Sequence, residues 1–193
     1  MKNDIIISGV GGQGIVSISA IIGFAALDAG LFLKQSEVHG MSQRGGDVQS
    51  HLRISNKEIY SDIIPKGKAD MIISVEPMES LRYLPWLSPE GWLITNINPF
   101  INIPDYPPIE KIMTEIKSVK NNIAIDADAI AKEIGSVKAA NVVILGAASP
   151  FFNLSYEKFQ SAIKFIFGQK GDDIVNLNLA ALEAGRTFSE KNK

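Results

Sequence analysis

Asp4-Ile-Ile-Ile-Ser-Gly-Val-Gly-Gly-Gln-Gly14 decides how the chain begins to fold. Three β-branched isoleucines in a row, ended by glycines, read as a buried strand that meets a tight turn. Gln13–Ala29 then carries Ile15, Ile18, Ile22, Ala25, Ala26 and Ala29 on one side and is closed by Gly30, the pattern of a packed helix. Leu31–Ser36 is a second strand. A strand, a turn, a helix and a strand make one crossover unit, so the two strands are expected to run parallel.

Gly9, Gly11 and Gly14 fit G-x-G-x-x-G after a strand and before a helix. In that setting the first glycine permits the turn. The second lets another group approach the backbone, and the third brings helix against strand. Free amides at the helix start favour an anion. Glu37, at the end of the second strand, stands where a dinucleotide fold places its ribose ligand. An NAD(P)-binding oxidoreductase is therefore one reading. The other is that the glycines serve close packing or an interface, because the chain beyond Glu37 does not continue into the helix and third strand a dinucleotide fold requires.

That continuation is Glu37-Val-His-Gly-Met-Ser-Gln-Arg-Gly-Gly46. Loops that follow parallel strands emerge at the same carboxyl edge of an open sheet, where α/β sites form. Gly9, Gly11, Gly12, Gln13 and Gly14 should therefore face Glu37, His39, Gly40, Met41, Ser42, Gln43, Arg44, Gly45 and Gly46. Arg44 offers a planar fork for a carboxylate or phosphate, and His39 offers an imidazole that can donate or accept a hydrogen bond. Each of these residues alone is as well explained by an ordinary salt bridge or hydrogen bond; the cluster is what suggests a site.

Farther on, Asp47–Ile54 alternates as a half-exposed strand, and Ser55-Asn56-Lys57 reads as a turn into a partner strand through Ile59 and Ile63, giving a β-hairpin after the second strand. Asp70–Val75, Trp92–Thr95 and Asn122–Ile125 read as strands. Met78–Leu84, Ile109–Val119 and Ala127–Ile134 read as helices, and Ala139–Ala147, Ser155–Phe167 and Asp173–Ser189 complete a helical C-terminal third. Asn96–Pro108 holds Pro99, Pro104, Pro107 and Pro108 and is an ordered surface excursion, not a helix. The expected fold is a single Rossmann-like α/β domain over residues 1–193 with a mostly parallel central sheet. A chain of 193 residues should bury roughly 70% of its unfolded surface.

Composition narrows the function classes. A net charge of −2 leaves no basic stripe for nucleic acid. Zero cysteines exclude disulfides and any thiolate-held zinc or iron–sulfur centre within the chain. The apolar stretches around Ile18–Leu27 and Val142–Ala148 are interrupted or too short to span a bilayer, and the N-terminus lacks the pattern of a signal peptide. The expectation is a cytoplasmic protein with no membrane partner. Trp86 and Trp92, around Pro89-Glu-Gly91, and Phe151-Phe152 after Pro150 read first as core; aromatics beside proline loops also occur at interfaces.

Taken together, Gly-Val-Gly-Gly-Gln-Gly-Ile at 9–15 and Ser-Glu-Val-His-Gly-Met-Ser-Gln-Arg-Gly-Gly at 36–46 resemble the gamma-type domain of 2-oxoacid:ferredoxin oxidoreductases. Similarity is greatest to the small (beta) subunits of the indolepyruvate-specific group. It continues through Val48, Ser50-His51 and Arg53, Ala69–Glu76, Asp126-Ala-Asp-Ala-Ile-Ala, Asn141 with Leu145-Gly146-Ala147, and Asn176 with Ala184-Gly185, so nearly the whole chain is covered. The resemblance implies an oxidoreductase that oxidatively decarboxylates 2-oxoacids, indolepyruvate or other arylpyruvates, to acyl-CoA, CO2 and reduced ferredoxin. It implies activity only as a hetero-oligomer with a large (alpha) subunit. Thiamine diphosphate with Mg and the iron–sulfur clusters are expected on that partner, coenzyme A in the complex, and no cofactor or metal in this chain. The G-D-G segment usual for thiamine diphosphate is missing. Asp126 and Asp128, placed before a helix, read as N-caps ahead of metal ligands. No catalytic residue can be assigned, and the loops at 9–14 and 37–46 are expected to line the active-site or coenzyme A cavity at the subunit interface. A non-catalytic adaptor that keeps the fold is the third reading.

Overall fold

The computed structural model of the chain describes residues 1–40 and 45–193. Met41, Ser42, Gln43 and Arg44 lie outside the described residues. A six-stranded sheet in the order β2-β3-β1-β4-β5-β6 forms the centre. Its strands are β1 (Lys2–Val10), β2 (Phe32–His39), β3 (Asp47–Ser55), β4 (Ala69–Ser74), β5 (Leu87–Asn96) and β6 (Asn122–Ile125). The helices are α1 (Ile15–Asp28), α2 (Pro77–Arg82), α3 (Ile109–Ser118), α4 (Ala127–Ile134), α5 (Ala140–Ala148), α6 (Tyr156–Phe167) and α7 (Asp172–Asn192). No helix among the described residues is long and apolar enough to cross a membrane.

The isoleucine run of β1 is buried on both sides because helices cover both faces of the sheet. Ile5 and Ile7 join a core shared with α1, α4, α5, α6 and α7, while Ile6 points into a second core with Ile72, Leu93, Ile112 and Ile116. A strand buried on both faces has no reason to alternate apolar with polar residues. β1, β4, β5 and β6 pair in parallel, so the mostly parallel sheet and the helical C-terminal third agree with expectation.

β1 and β2 do run in the same direction, but they are not neighbours. β3 lies between them, antiparallel to both, with Val10 opposite Asp47 and His39 opposite Val48. The hairpin after the second strand is thus formed by β2 and β3. The expected second arm, Ile59 to Ile63, is not a strand. Both edges of β3 are already occupied, so that segment instead crosses the sheet face. Its polar backbone is taken up by side chains: the amide of Ile64 donates to His51 Nδ1 at 3.1 Å, and Arg53 donates to the carbonyl of Ser61 at 2.9 Å.

This covering also corrects the expectation that the polar face of β3 meets water. His51 is 5% exposed, and Arg53 closes two hydrogen bonds on Asp4, which is 1% exposed. Burial, with a smaller opposing effect from Asp62, holds the His51 pKa below its ordinary value of 6.5. The neutral imidazole is needed, since its Nδ1 accepts the Ile64 amide.

Behind the sheet, α5 and α7 approach until their backbones touch. A methyl group added at Gly185 would stand 1.9 Å from the Val143 carbonyl oxygen, and one at Gly146 would stand 2.1 Å from that of Leu182. The aromatics expected in the core are packed: Trp92 stacks on Phe151 with centroids 3.9 Å apart, and Phe152 meets Phe159 edge-on.

Two outcomes follow from this packing. Gly185→Ala should cost about 3 kcal/mol in urea unfolding, because backbone and not a flexible side chain opposes the new methyl. His51 should withdraw stability as pH falls below 6.5, since a base with a lowered folded pKa binds fewer protons folded than unfolded. His51→Asn keeps an acceptor and should flatten that acid limb in melting temperature measured from pH 7 to pH 5.

Candidate functional site

The two glycine-bearing loops meet at the carboxyl edge of the sheet. Gly11 donates its amide to the Gly46 carbonyl at 2.8 Å, and Gly45 donates to the Gly11 carbonyl at 3.3 Å. The β2–β3 loop is therefore bonded, amide to carbonyl, to the turn after β1. Gly40 adds a bond to the Asp47 carbonyl at 3.3 Å and continues the hairpin.

Beside this junction opens a cleft of about 360 Å³, lined by Gly11, Gly12, Gly14, Ile15, Val16, Glu37, His39 and Val48. Its lining thus combines glycines of the turn, the aliphatic residues Ile15, Val16 and Val48, and Glu37 and His39 from the end of β2. The size and mixture suit part of a small organic molecule.

Not every expected residue faces this cleft. Gly9 lies inside β1, where an added methyl would stand 2.3 Å from Val75 Cγ2; its task is strand packing. Gln13 folds back and accepts the Val10 amide through Oε1 at 2.8 Å, closing the turn. It lines a separate polar niche of about 80 Å³ with Asn96, Asp128 and Asn141. Gly14 has a left-handed backbone, φ +83°, and an added methyl would meet the Asn141 amide at 2.5 Å. Gly45 and Gly46 support the turn from outside. Met41, Ser42, Gln43 and Arg44, expected at this site, lie outside the described residues.

This arrangement does not suit a dinucleotide. The strand carrying Glu37 is separated from β1 by β3, which moves the carboxylate about 5 Å from where an adjacent strand would hold it. The Gly11 amide, which would meet a pyrophosphate, is spent on Gly46. The leading amide of the glycine fingerprint is taken by the protein's own chain.

Four polar residues near the base of the loop were not found by sequence reasoning. Tyr83, just after α2, donates its hydroxyl to both oxygens of Asp47, at 2.7 and 3.0 Å. Burial and then the Asp47 carboxylate push the Tyr83 pKa far up, so the hydroxyl remains a donor. Arg82 holds Glu79 by Nε at 2.7 Å and by a second nitrogen at 3.2 Å. Burial foremost, with Asp47 adding and Arg82 opposing, raises the Glu79 pKa. Only the packing of α2 on the sheet brings Asp47 to residues more than thirty positions away, so the sequence carried no local signal for it.

Asp126 accepts the Ala129 amide at 2.9 Å and caps α4, while Asp128 accepts from Asn96 at 3.1 Å. The capping role expected of Asp126 is what the structure shows. Among the described residues no group of three histidine, aspartate or glutamate side chains is placed to hold a metal.

The chain matches the family model described as pyruvate ferredoxin/flavodoxin oxidoreductase over residues 4–188. It belongs to that family. A Pyrococcus horikoshii relative named indolepyruvate oxidoreductase subunit IorB is 38% identical over 192 residues, covering 94% of this chain and 93% of the relative. Among solved structures, the gamma subunit of a keto/oxoacid ferredoxin oxidoreductase from Geobacter sulfurreducens superposes with a TM-score of 0.74 at 23% identity, covering 98% of this chain and 99% of that one. A 2-oxoglutarate:ferredoxin oxidoreductase from Magnetococcus marinus superposes with a TM-score of 0.79 at 23% identity. There the match covers 98% of this chain but only 31% of that chain, so the same fold is built into a longer polypeptide.

The base of the loop can be tested directly. Tyr83→Phe removes the hydrogen bonds to Asp47 and should cost about 1 kcal/mol, because Asp47 still reaches water. Amide exchange at Gly11, Gly45 and Gly46 should quicken while that of β4 and β5 stays unchanged.

Proposed function

We propose that this chain is the small subunit of a 2-oxoacid:ferredoxin oxidoreductase that acts on indolepyruvate or another arylpyruvate. The products are the acyl-CoA, CO2 and reduced ferredoxin. What carries the reading is the match over 94% of this chain and 93% of a relative named indolepyruvate oxidoreductase subunit IorB.

Chemistry supports the division of labour. Oxidative decarboxylation of a 2-oxoacid yields two electrons that ferredoxin accepts one at a time, so iron–sulfur centres are required in the complex. With zero cysteines this chain offers no thiolate to hold them. The clusters therefore belong to the large subunit; thiamine diphosphate with its Mg is assigned there too, because the G-D-G segment usual for it is missing from this chain, and the expected compartment is the cytoplasm. The cleft and the loop beside it serve the complex by walling the cavity for coenzyme A or the acyl intermediate. Gly12 and Gly14 give close approach, and Glu37, His39 and Arg44 supply polar contacts. A free-standing NAD(P) enzyme is disfavoured by the position of β3 and the engaged Gly11 amide.

The test is reconstitution. The purified chain should reduce no ferredoxin with indolepyruvate and coenzyme A, and co-expression with a large, cysteine-rich partner should give turnover. Arg44→Ala should weaken the association or raise the KM for coenzyme A several-fold. Turnover by this chain alone, or saturable NADH binding to it, would defeat the proposal.

A further inference from the structure

The segment between β5 and α3 is the proline-bearing excursion, and its anchoring is unusual for a surface loop. Glu76, at the N-terminus of α2, is fully buried. One of its carboxylate oxygens accepts the Glu79 amide at 2.8 Å. The other accepts the Phe100 amide at 3.2 Å and the Tyr106 hydroxyl. The start of the excursion is fixed as well: Asn96 Oδ1 accepts the Ile97 amide at 3.0 Å, and Asn98 donates to Asp126 at 2.6 Å. Tyr106 and Ile109 pack on the second core. Burying a carboxylate is costly unless donors replace water; here the donors that do so come largely from this loop.

Between those anchors the loop presents apolar groups to solvent. Phe100 is 44% exposed, Ile101 71% and Ile103 42%. Asp105 is the sole charged residue from 97 to 108. Single exposed apolar residues are ordinary, but here they are grouped at the tip of a tethered, charge-poor lobe. Charge-poor apolar composition marks the buried centre of protein interfaces, and prior fixation lowers the ordering cost of association. The lobe also adjoins the candidate site, since Asn102 donates its side-chain amide to the Gly45 carbonyl.

We infer that the Phe100–Ile103 lobe is a docking element for the large subunit, held in place by Glu76 and Tyr106 so that it joins the cleft rim in one contact surface. The occupant rests on the reading given under Proposed function. Its choice over a second copy has its own support. A match of the same fold covers 31% of a longer chain, so the fold occurs joined to a larger body, and the 38%-identical relative is named a subunit, which calls for a partner other than itself. Continuity with Gly45 places the lobe on the edge where that body would reach the cleft.

The experiment is co-expression of the full chain with a tagged large subunit, followed by capture and titration of the purified pair. Ile101→Asp and Ile103→Asp should each weaken the pair at least tenfold, with the melting temperature of the free chain unchanged for Ile101→Asp, whose side chain is the more exposed of the two. Val137→Asp, an exposed change on the α4–α5 connection, should bind as wild type. Tyr106→Phe should weaken binding by less than the aspartate variants, since it loosens the tether without altering the contact. If wild type is captured and Ile101→Asp and Ile103→Asp bind equally well, the lobe is not the docking element. If those variants instead abolish self-association and leave the pair intact, the occupant is a second copy and the inference fails. Failure of the wild-type chain to be captured at all would defeat the subunit reading itself.

Discussion

The antiparallel strand β3, threaded between β1 and β2, is the constraint on which the rest of the carboxyl edge depends. It satisfies hydrogen bonds along both of its sides, leaving the segment after it no sheet partner. That segment must then cross the sheet face, where its amides and carbonyls are met by His51 and Arg53. The same insertion brings Gly45 and Gly46, at the head of β3, against the turn after β1. The reciprocal bonds between Gly11, Gly45 and Gly46 are a consequence of that path.

A glycine fingerprint thereby acquires a different use. In a dinucleotide fold the turn after the first strand keeps its amides for a diphosphate. Here a neighbouring loop occupies the leading amide, and the remaining space is a cleft lined in part by Ile15, Val16 and Val48. The turn has changed from an anion cradle into a socket for protein backbone. A partner that meets this edge would find glycine backbone, the β2 end and the tethered lobe within one continuous surface.

Much of this was legible from local pattern. The β1 isoleucines, the apolar stripe of α1 and the alternation of β3 specify elements because side-chain period follows backbone geometry. The helices after Asp126 were legible for the same reason, and Asp126 itself reads as a cap. The site was legible only in part. Glu37 and His39 lie near Gly11, Gly12 and Gly14 because both loops follow strands of one direction. Gln13 could not be placed in the same way, because its side chain chose the Val10 amide over the cleft. The pairing of Ile59–Ile63 with β3 was misjudged because a turn signal marks a change of direction without naming which strand comes alongside.

By itself the sequence determined the strand and helix content, the glycine turn at the head of α1, and the absence of thiolate ligands. Those properties follow from near neighbours in the chain and from composition. Tertiary structure alone decided the order of the strands, the burial of Glu76 with its hold on Phe100 and Tyr106, and the contact of Asp47 with Tyr83. Each of these depends on groups brought together across 24 to 36 residues or on which edge of a strand is free. Local propensity is blind to both, because a hydrogen bond formed after the chain has folded leaves no periodicity behind.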